Sequence, residues 1–262
     1  MKERIIAAIA ALVVVLPTLL LGDFWGTFAL VTVAIVIASK EFIHMAFPTE
    51  KNTHIGIYLL YMAAFVGFAL FPEHSGLVMA TASLVLWSVA MFLISDNDRG
   101  MRFIARSSFG LIYIPFLLSY FVLLRGTDQG LEWIFLALLL TWSADTGAYF
   151  AGRFLGKTPL FPRVSPKKTV EGVVGGVLLA VAVSIGYTQQ VLPVVDMIHA
   201  SILGVVLSLS SVVGDLVESL MKRAYGVKDS GNFMPGHGGI IDRLDSLLFT
   251  FPITYMYVVL FL

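Results

Sequence analysis

The 262-residue chain contains no cysteine, which excludes disulfides and thiolate-held zinc. Histidine is sparse too: His44, His54, His74, His199 and His237 are too scattered to form a cluster, so any metal would be held by oxygen. Charge is scarce, with Asp, Glu, Lys and Arg at 13% of residues and 17 acidic side chains balancing 17 basic ones. No nucleic-acid partner is expected. Long polar connections are lacking on one side of the predicted topology, where the segments around 22–24, 72–76, 126–130 and 192–196 leave no room for an outer domain. Near Gly22 there is no A-x-A-like cleavage site, so the opening apolar stretch reads as a retained first span rather than a signal peptide.

What is abundant is apolar sequence. Hydrophobic residues make up 58% of the chain and the mean hydropathy is +0.90. Apolar runs of bilayer length recur and are apolar all round, without the polar face that a soluble helix must show to water. Nine such runs predict an all-α polytopic membrane protein: 4–21, 25–47, 54–71, 77–94, 107–125, 131–151, 170–191, 197–221 and 244–262. With the N-terminus cytoplasmic and the C-terminus outside, every Lys and Arg except Arg125 falls on the inner side, in accord with the positive-inside rule. Two regions are expected: N-terminal spans over 1–130, and a catalytic region over 131–262 where the unusual polar residues concentrate.

Acids at membrane depth cost on the order of 2.5–3.5 kcal/mol each, so their positions are informative. Asp145 lies within the run ending LLLTWSADTGAYFAGRF, and Asp215 and Glu218 lie within SLSSVVGDLVESLMKRAYG. At 100° per residue, Asp215, Glu218, Ser219 and Lys222 share about a 100° arc of one helix face. The plain alternative is that Asp215 and Glu218 pair with Lys222 and Arg223 at the interface. A second acidic pair, Asp242 and Asp245 in IIDRLD, needs cations as well and would share a face if a helix begins there. Carboxylates without thiols or clustered imidazoles suit a hard ion such as Mg²⁺. Intramembrane acids also mark ion pathways, so an ion- or proton-coupled transporter is the rival reading.

The segment GRFLGKTPLFPRVSPKKTVEG carries five basic residues. GRFLGKT is one residue short of a P-loop and follows an apolar helix, so that match fails. SPKKTVEG places Ser165 near an expected helix start, with Lys167 and Lys168 beside exposed backbone N–H groups and Glu171 following, an arrangement suited to phosphate. Gly172 and Gly176 form G-x-x-x-G, a close-packing or dimer pattern. The last basic segment combines Lys228, Asp229, Gly231, Pro235, Gly236, His237, Gly238 and Gly239, and its glycines would let backbone approach phosphate oxygens.

Residues 219–245, SLMKRAYGVKDSGNFMPGHGGIIDRLD, resemble the signature of the phosphatidate cytidylyltransferase (CDP-diacylglycerol synthase) family. The match falls on Ser219, Lys222, Arg223, Lys228, Asp229, Gly231, Pro235, His237, Gly238, Gly239, Asp242, Arg243 and Asp245, with Met234 where Leu, Ile or Phe is usual. It extends upstream through Asp145 and SPKKTVEG. The resemblance implies transfer of a cytidylyl group from CTP to phosphatidate at the cytoplasmic face of the inner membrane, with membrane lipid as surroundings and a homodimer as assembly. It implies Asp215 and Asp242 as Mg²⁺ ligands with Asp245 in support, and it allows a monovalent cation such as K⁺ alongside. Lys222, Arg223, Lys228, Asp229, His237 and Arg243 would join the catalytic machinery, and Asp145, Ser165, Lys167, Lys168, Glu171, Ser219, Gly238 and Gly239 the substrate contacts. The D-G-x₂-A-R pattern of CDP-alcohol phosphotransferases is absent.

Overall fold

The computed structural model describes residues 13–233 and 238–262; His237 and much of the first predicted run, 4–21, lie outside the described residues. Within the described residues seven helices are long and apolar enough to cross a membrane: Asp23–Ala46, Lys51–Leu70, Pro72–Leu93, Asn97–Arg125, Gly130–Leu155, Val170–Val191 and Met197–Ala224. The last predicted run contains a shorter apolar helix, Leu247–Phe261. The chain is an α-helical integral membrane protein, and its described residues divide into two units.

One unit takes in Met1–Leu123 and Asp229–Asp242. It contains α1 (Asp23–Ala46), α2 (His54–Leu70), α3 (Ser75–Leu93) and α4 (Asn97–Leu111). The segment 95–106, expected as a connection, is largely the first half of α4. The Asp96 side chain caps it, accepting from the Arg99 N–H at 2.6 Å. Arg99, Arg102 and Arg106 recur at helical spacing while Phe103 and Ser107 are buried, so a hydropathy average mistakes an amphipathic turn for a loop. Farther on, a π-helical turn, Ile112–Phe116, carries Pro115, whose missing N–H cannot continue an α-helical ladder; α5 (Leu117–Arg125) follows. The core of this unit is aromatic. Phe28 stacks on Phe65, Phe68 meets Phe116 edge-on, and the buried Tyr61 hydroxyl donates to the Ser107 carbonyl at 2.7 Å. Gly110 is required here, because a Cβ would collide with the Phe42 ring and the Tyr61 hydroxyl.

The other unit takes in Leu124–Lys228 and Arg243–Leu262. Here α6 (Gly130–Leu155) packs on α7 (Val170–Val191), and α8 (Met197–Ala224) packs on both, as does α10 (Leu247–Phe261) on α6 and α8; the short α9 (Ile241–Leu244), whose first two residues belong to the first unit, precedes α10. The α6 and α7 backbones approach through small residues, as membrane helices do in the absence of a hydrophobic force between them. A Cβ on Gly147 would stand 2.6 Å from the Gly175 carbonyl oxygen, and one on Gly176 would stand 2.6 Å from that of Ala144. Gly172 and Gly176 thus serve packing within the chain.

Between α6 and α7 lies an antiparallel hairpin, β1 (Pro159–Phe161) and β2 (Ser165–Thr169), pairing Phe161 with Ser165 and Pro159 with Thr169. Ser165 is therefore in a strand and not at a helix start. Pro166 biases the residue before it towards extended backbone, and the helix begins only at Val170. Thr169 caps it, its hydroxyl accepting from the Gly172 N–H at 3.1 Å.

Candidate active site

Three carboxylates and one ammonium gather in the second unit. Asp145 comes from α6, Asp215 from α8, Asp245 from the bend before α10, and Lys168 from β2. Lys168 Nζ is 2.7 Å from Asp215 Oδ2, and the Ser219 hydroxyl, one turn on, donates to Asp215 Oδ1 at 3.3 Å. The bend is drawn against α8: the Ser246 hydroxyl donates to the Ser211 carbonyl at 3.1 Å, and a Cβ on Gly214 would stand 2.5 Å from the Asp245 carbonyl oxygen. Asp215 repels both Asp145 and Asp245, while Lys168 attracts both. With all three carboxylates ionised, the cluster would hold more negative than positive charge, in surroundings of low dielectric that magnify the imbalance.

Beside it opens a cleft of about 370 Å³, lined by Asp145, Tyr149, Arg153, Lys167, Lys168 and Thr169 among others. Arg153 donates to the Tyr149 hydroxyl at 2.9 Å, and Lys167 has no ion pair among the described residues. A pocket lined by Arg153, Lys167 and Lys168 as well as by Asp145 can receive a polyanion together with a cation. Glu171 is turned to the chain itself: its carboxylate accepts from the N–H groups of Lys157 and Thr158 at 3.1 Å and from the Thr158 hydroxyl at 2.9 Å. It thereby ties the strand-bearing segment to the first turn of α7.

The polar stripe of α8 splits in two. Glu218, only 2% exposed, is 2.7 Å from Lys222 Nζ, whereas Asp215 turns to Lys168 instead of to Lys222 or Arg223. One acid is thus neutralised within its own helix and the other faces the hairpin. Arg223, Lys228 and Arg243 are exposed. As placed, no three His, Cys, Asp or Glu side chains among the described residues converge on a single ion position. The donors present are nonetheless all oxygen, which is the ligand set that Mg²⁺ takes.

In the first unit, Asp242 organises the glycine-rich segment. Its Oδ2 accepts from the Ser230 N–H at 3.0 Å, the Ser230 hydroxyl at 3.0 Å and the Gly239 N–H at 2.8 Å. Gly238 has φ +86°, a left-handed conformation that favours glycine. Asp229 is exposed. Sequence reasoning missed Glu41, which accepts from the N–H groups of Ile240 and Ile241 at 3.0 and 3.2 Å and from the Ser230 hydroxyl at 3.1 Å. The available signal was an acid beside Lys40 near the end of an otherwise apolar run.

A model of the cytidylyltransferase family matches residues 2–261. The chain belongs to that family. It is 36% identical to the phosphatidate cytidylyltransferase of Bacillus subtilis (strain 168), over 100% of this chain and 98% of the relative. It is 34% identical to the phosphatidate cytidylyltransferase of Staphylococcus aureus (strain COL) and 35% identical to that of Staphylococcus epidermidis, in each case over 97% of both chains. As a cytidylyltransferase-family member the chain is an enzyme, a nucleotidyltransferase, and the residues that resembled the signature lie in a chain that matches the family from end to end.

Proposed function

We propose that this nucleotidyltransferase carries the cytidylyl group of CTP onto phosphatidate, releasing pyrophosphate and leaving CDP-diacylglycerol in the membrane. The observation that supports it best is the pairing of Lys168 with Asp215 at 2.7 Å beside a cleft lined by Lys167, Lys168 and Arg153, in a helical membrane unit. Both substrates are polyanions, and one of them is anchored in lipid. A basic cleft at the end of membrane helices suits that combination.

In the proposed step a phosphatidate oxygen attacks the α-phosphorus of CTP in line. The new P–O bond forms as the bond to the bridging oxygen breaks, and its electrons leave with pyrophosphate. The nucleophile is already an anion, so no strong base is needed; the obstacle is repulsion between negative charges. Lys167, Lys168 and Arg153 lower it at the cleft, with Lys222, Arg223, Lys228 and Arg243 adding positive charge from the signature. Glu171 contributes by holding the backbone of Lys157 and Thr158 ahead of the hairpin.

Mg²⁺ fits the donor set. Three carboxylates stand near one ammonium in the second unit, a deficit that a divalent ion would offset, and since no three of them converge on one position, Asp215 with either Asp145 or Asp245 would hold it there. When bound, it would offset charge on phosphate oxygens. Asp242 retains a ligand role on the family pattern alone, as does K⁺ its supporting one. The same pattern supports a homodimer. The distribution of Lys and Arg supports placement in the cytoplasmic membrane with the basic segments inside.

The test is the lipid product. Detergent-purified protein given CTP, phosphatidate and Mg²⁺ should yield a lipid heavier than phosphatidate by one cytidylyl unit, by mass spectrometry; unchanged lipid from folded protein would refute the proposal.

A further inference from the structure

We infer that Glu41, near the end of α1, is a positioning residue for this reaction: its carboxylate holds Ser230 and residues 238–242 in their working shape. What that shape serves rests on the cytidylyl-transfer reading; the contacts that hold it do not.

The geometry is specific. Glu41 Oε1 accepts from Ile240 N at 3.0 Å, and Oε2 accepts from Ile241 N at 3.2 Å and from the Ser230 hydroxyl at 3.1 Å. Hydrogen bonds to an ionised acceptor are about twice as strong as neutral ones, so one carboxylate fixes the start of α9 and the segment near Ser230 together. The Ser230 hydroxyl also faces Asp242 Oδ2 at 3.0 Å. One hydroxyl hydrogen is offered to two carboxylates, which couples the placement of Glu41 to that of Asp242. Asp242 in turn accepts from the N–H groups of Ser230 and Gly239. Loss of Glu41 would free the Ile240 and Ile241 amides, release Ser230, and loosen the side chain that the family pattern places in the chemistry.

Two signature glycines acquire a physical reason from the same carboxylate. A Cβ on Gly231 would stand 2.5 Å from Glu41 Oε1, and a Cβ on Gly239 would collide with Glu41 Oε2 and the Ser230 hydroxyl. A side chain at either position would have to displace the Glu41 carboxylate. At Gly231 and Gly239 the space that a side chain would take holds the carboxylate of an acid some 190 to 200 residues away in sequence.

The experiment compares wild type, Glu41→Gln, Glu41→Asp and Ser230→Ala in detergent. It measures turnover with CTP and phosphatidate, and amide hydrogen exchange of peptides covering 238–244. Glu41→Gln keeps the volume but turns an amide N–H₂ towards donors, so exchange at Ile240 and Ile241 should accelerate. Its kcat should fall about 10- to 100-fold, with KM for CTP within about twofold of wild type. Glu41→Asp should recover part of the loss, and Ser230→Ala, which leaves the Ile240 and Ile241 amides bonded to Glu41, should accelerate exchange at those two residues less than Glu41→Gln does. Faster exchange with wild-type turnover would overturn the positioning role, and unchanged exchange would overturn the contacts on which it stands. A wild-type chain inert towards CTP and phosphatidate would instead sink the cytidylyl-transfer reading, while the exchange comparison would still decide whether Glu41 holds the segment.

Discussion

Lys168, on a five-residue strand, reaches Asp215, in the second half of a 28-residue membrane helix, at 2.7 Å. The contact joins the hairpin to α8 and supplies the positive charge felt by Asp145 and Asp245 as well. Replacing it should therefore affect both substrate handling and the cluster itself. Lys168→Met keeps the aliphatic stem and removes the charge. Turnover should fall about 100-fold or more, the equivalent of about 2.7 kcal/mol. The pair is partly exposed, its side chains 25% and 32% accessible, so the loss of stability should be small, on the order of 1 kcal/mol. Thermal melting and initial rates on the same preparation separate the two effects; a large drop in melting temperature with normal turnover would make Lys168 a structural residue only.

Asp215→Asn preserves the shape at α8 and can still accept from Ser219, but it removes the charge that faces Lys168. Activity should be lost by about 100-fold or more while the gel-filtration profile stays that of wild type. Near-normal turnover in the purified variant would remove Asp215 from the metal and from the chemistry.

Glu218 and Lys222 give a contrasting case. Glu218 is 2% exposed and the Lys222 ammonium stands at 2.7 Å, so Glu218→Leu would take a buried carboxylate away from a cation that is itself only 13% exposed. Breaking such a pair from one side costs roughly 3–5 kcal/mol, whereas replacing both partners with apolar residues is often neutral. Glu218→Leu alone should melt well below wild type, and Glu218→Leu with Lys222→Leu should recover most of the difference. Additive losses in the double variant would show that the two side chains do not form a pair.

Glycine substitutions in α7 should separate by contact. Gly176→Ala sets a methyl group 2.6 Å from the Ala144 carbonyl oxygen and should destabilise by about 1–3 kcal/mol, whereas Gly186, with nothing within 4 Å, should accept Ala without loss. Melting curves of the two variants test the intrachain role of the α6–α7 contact. Equal tolerance would mean that these helices are not in close contact.

Membrane runs were readable from hydropathy because each needs a long unbroken apolar stretch, a signal that averaging strengthens. The same averaging concealed the first half of α4, where Arg99, Arg102 and Arg106 alternate with buried Phe103 and Ser107. It also concealed the hairpin, whose strands of three and five residues are too short to show a period. Ser165 was drawn into a helix start by its type, and Pro166 decided otherwise. Asp145, Asp215 and Asp245 stood out singly because acids are costly in apolar sequence, but their gathering around Lys168 follows from the folding of α6, β2, α8 and the bend before α10. Glu41 was missed because its partners lie 189 to 200 positions away, and one sequence offers no means of pairing residues across such a distance.

The most direct test of the central claim is pyrophosphate release by purified protein given phosphatidate, Mg²⁺ and each of CTP, ATP, GTP and UTP in turn. The account predicts release with CTP alone, dependent on phosphatidate and lost in Asp215→Asn. Release that does not require phosphatidate, or none with CTP from folded protein, would contradict it.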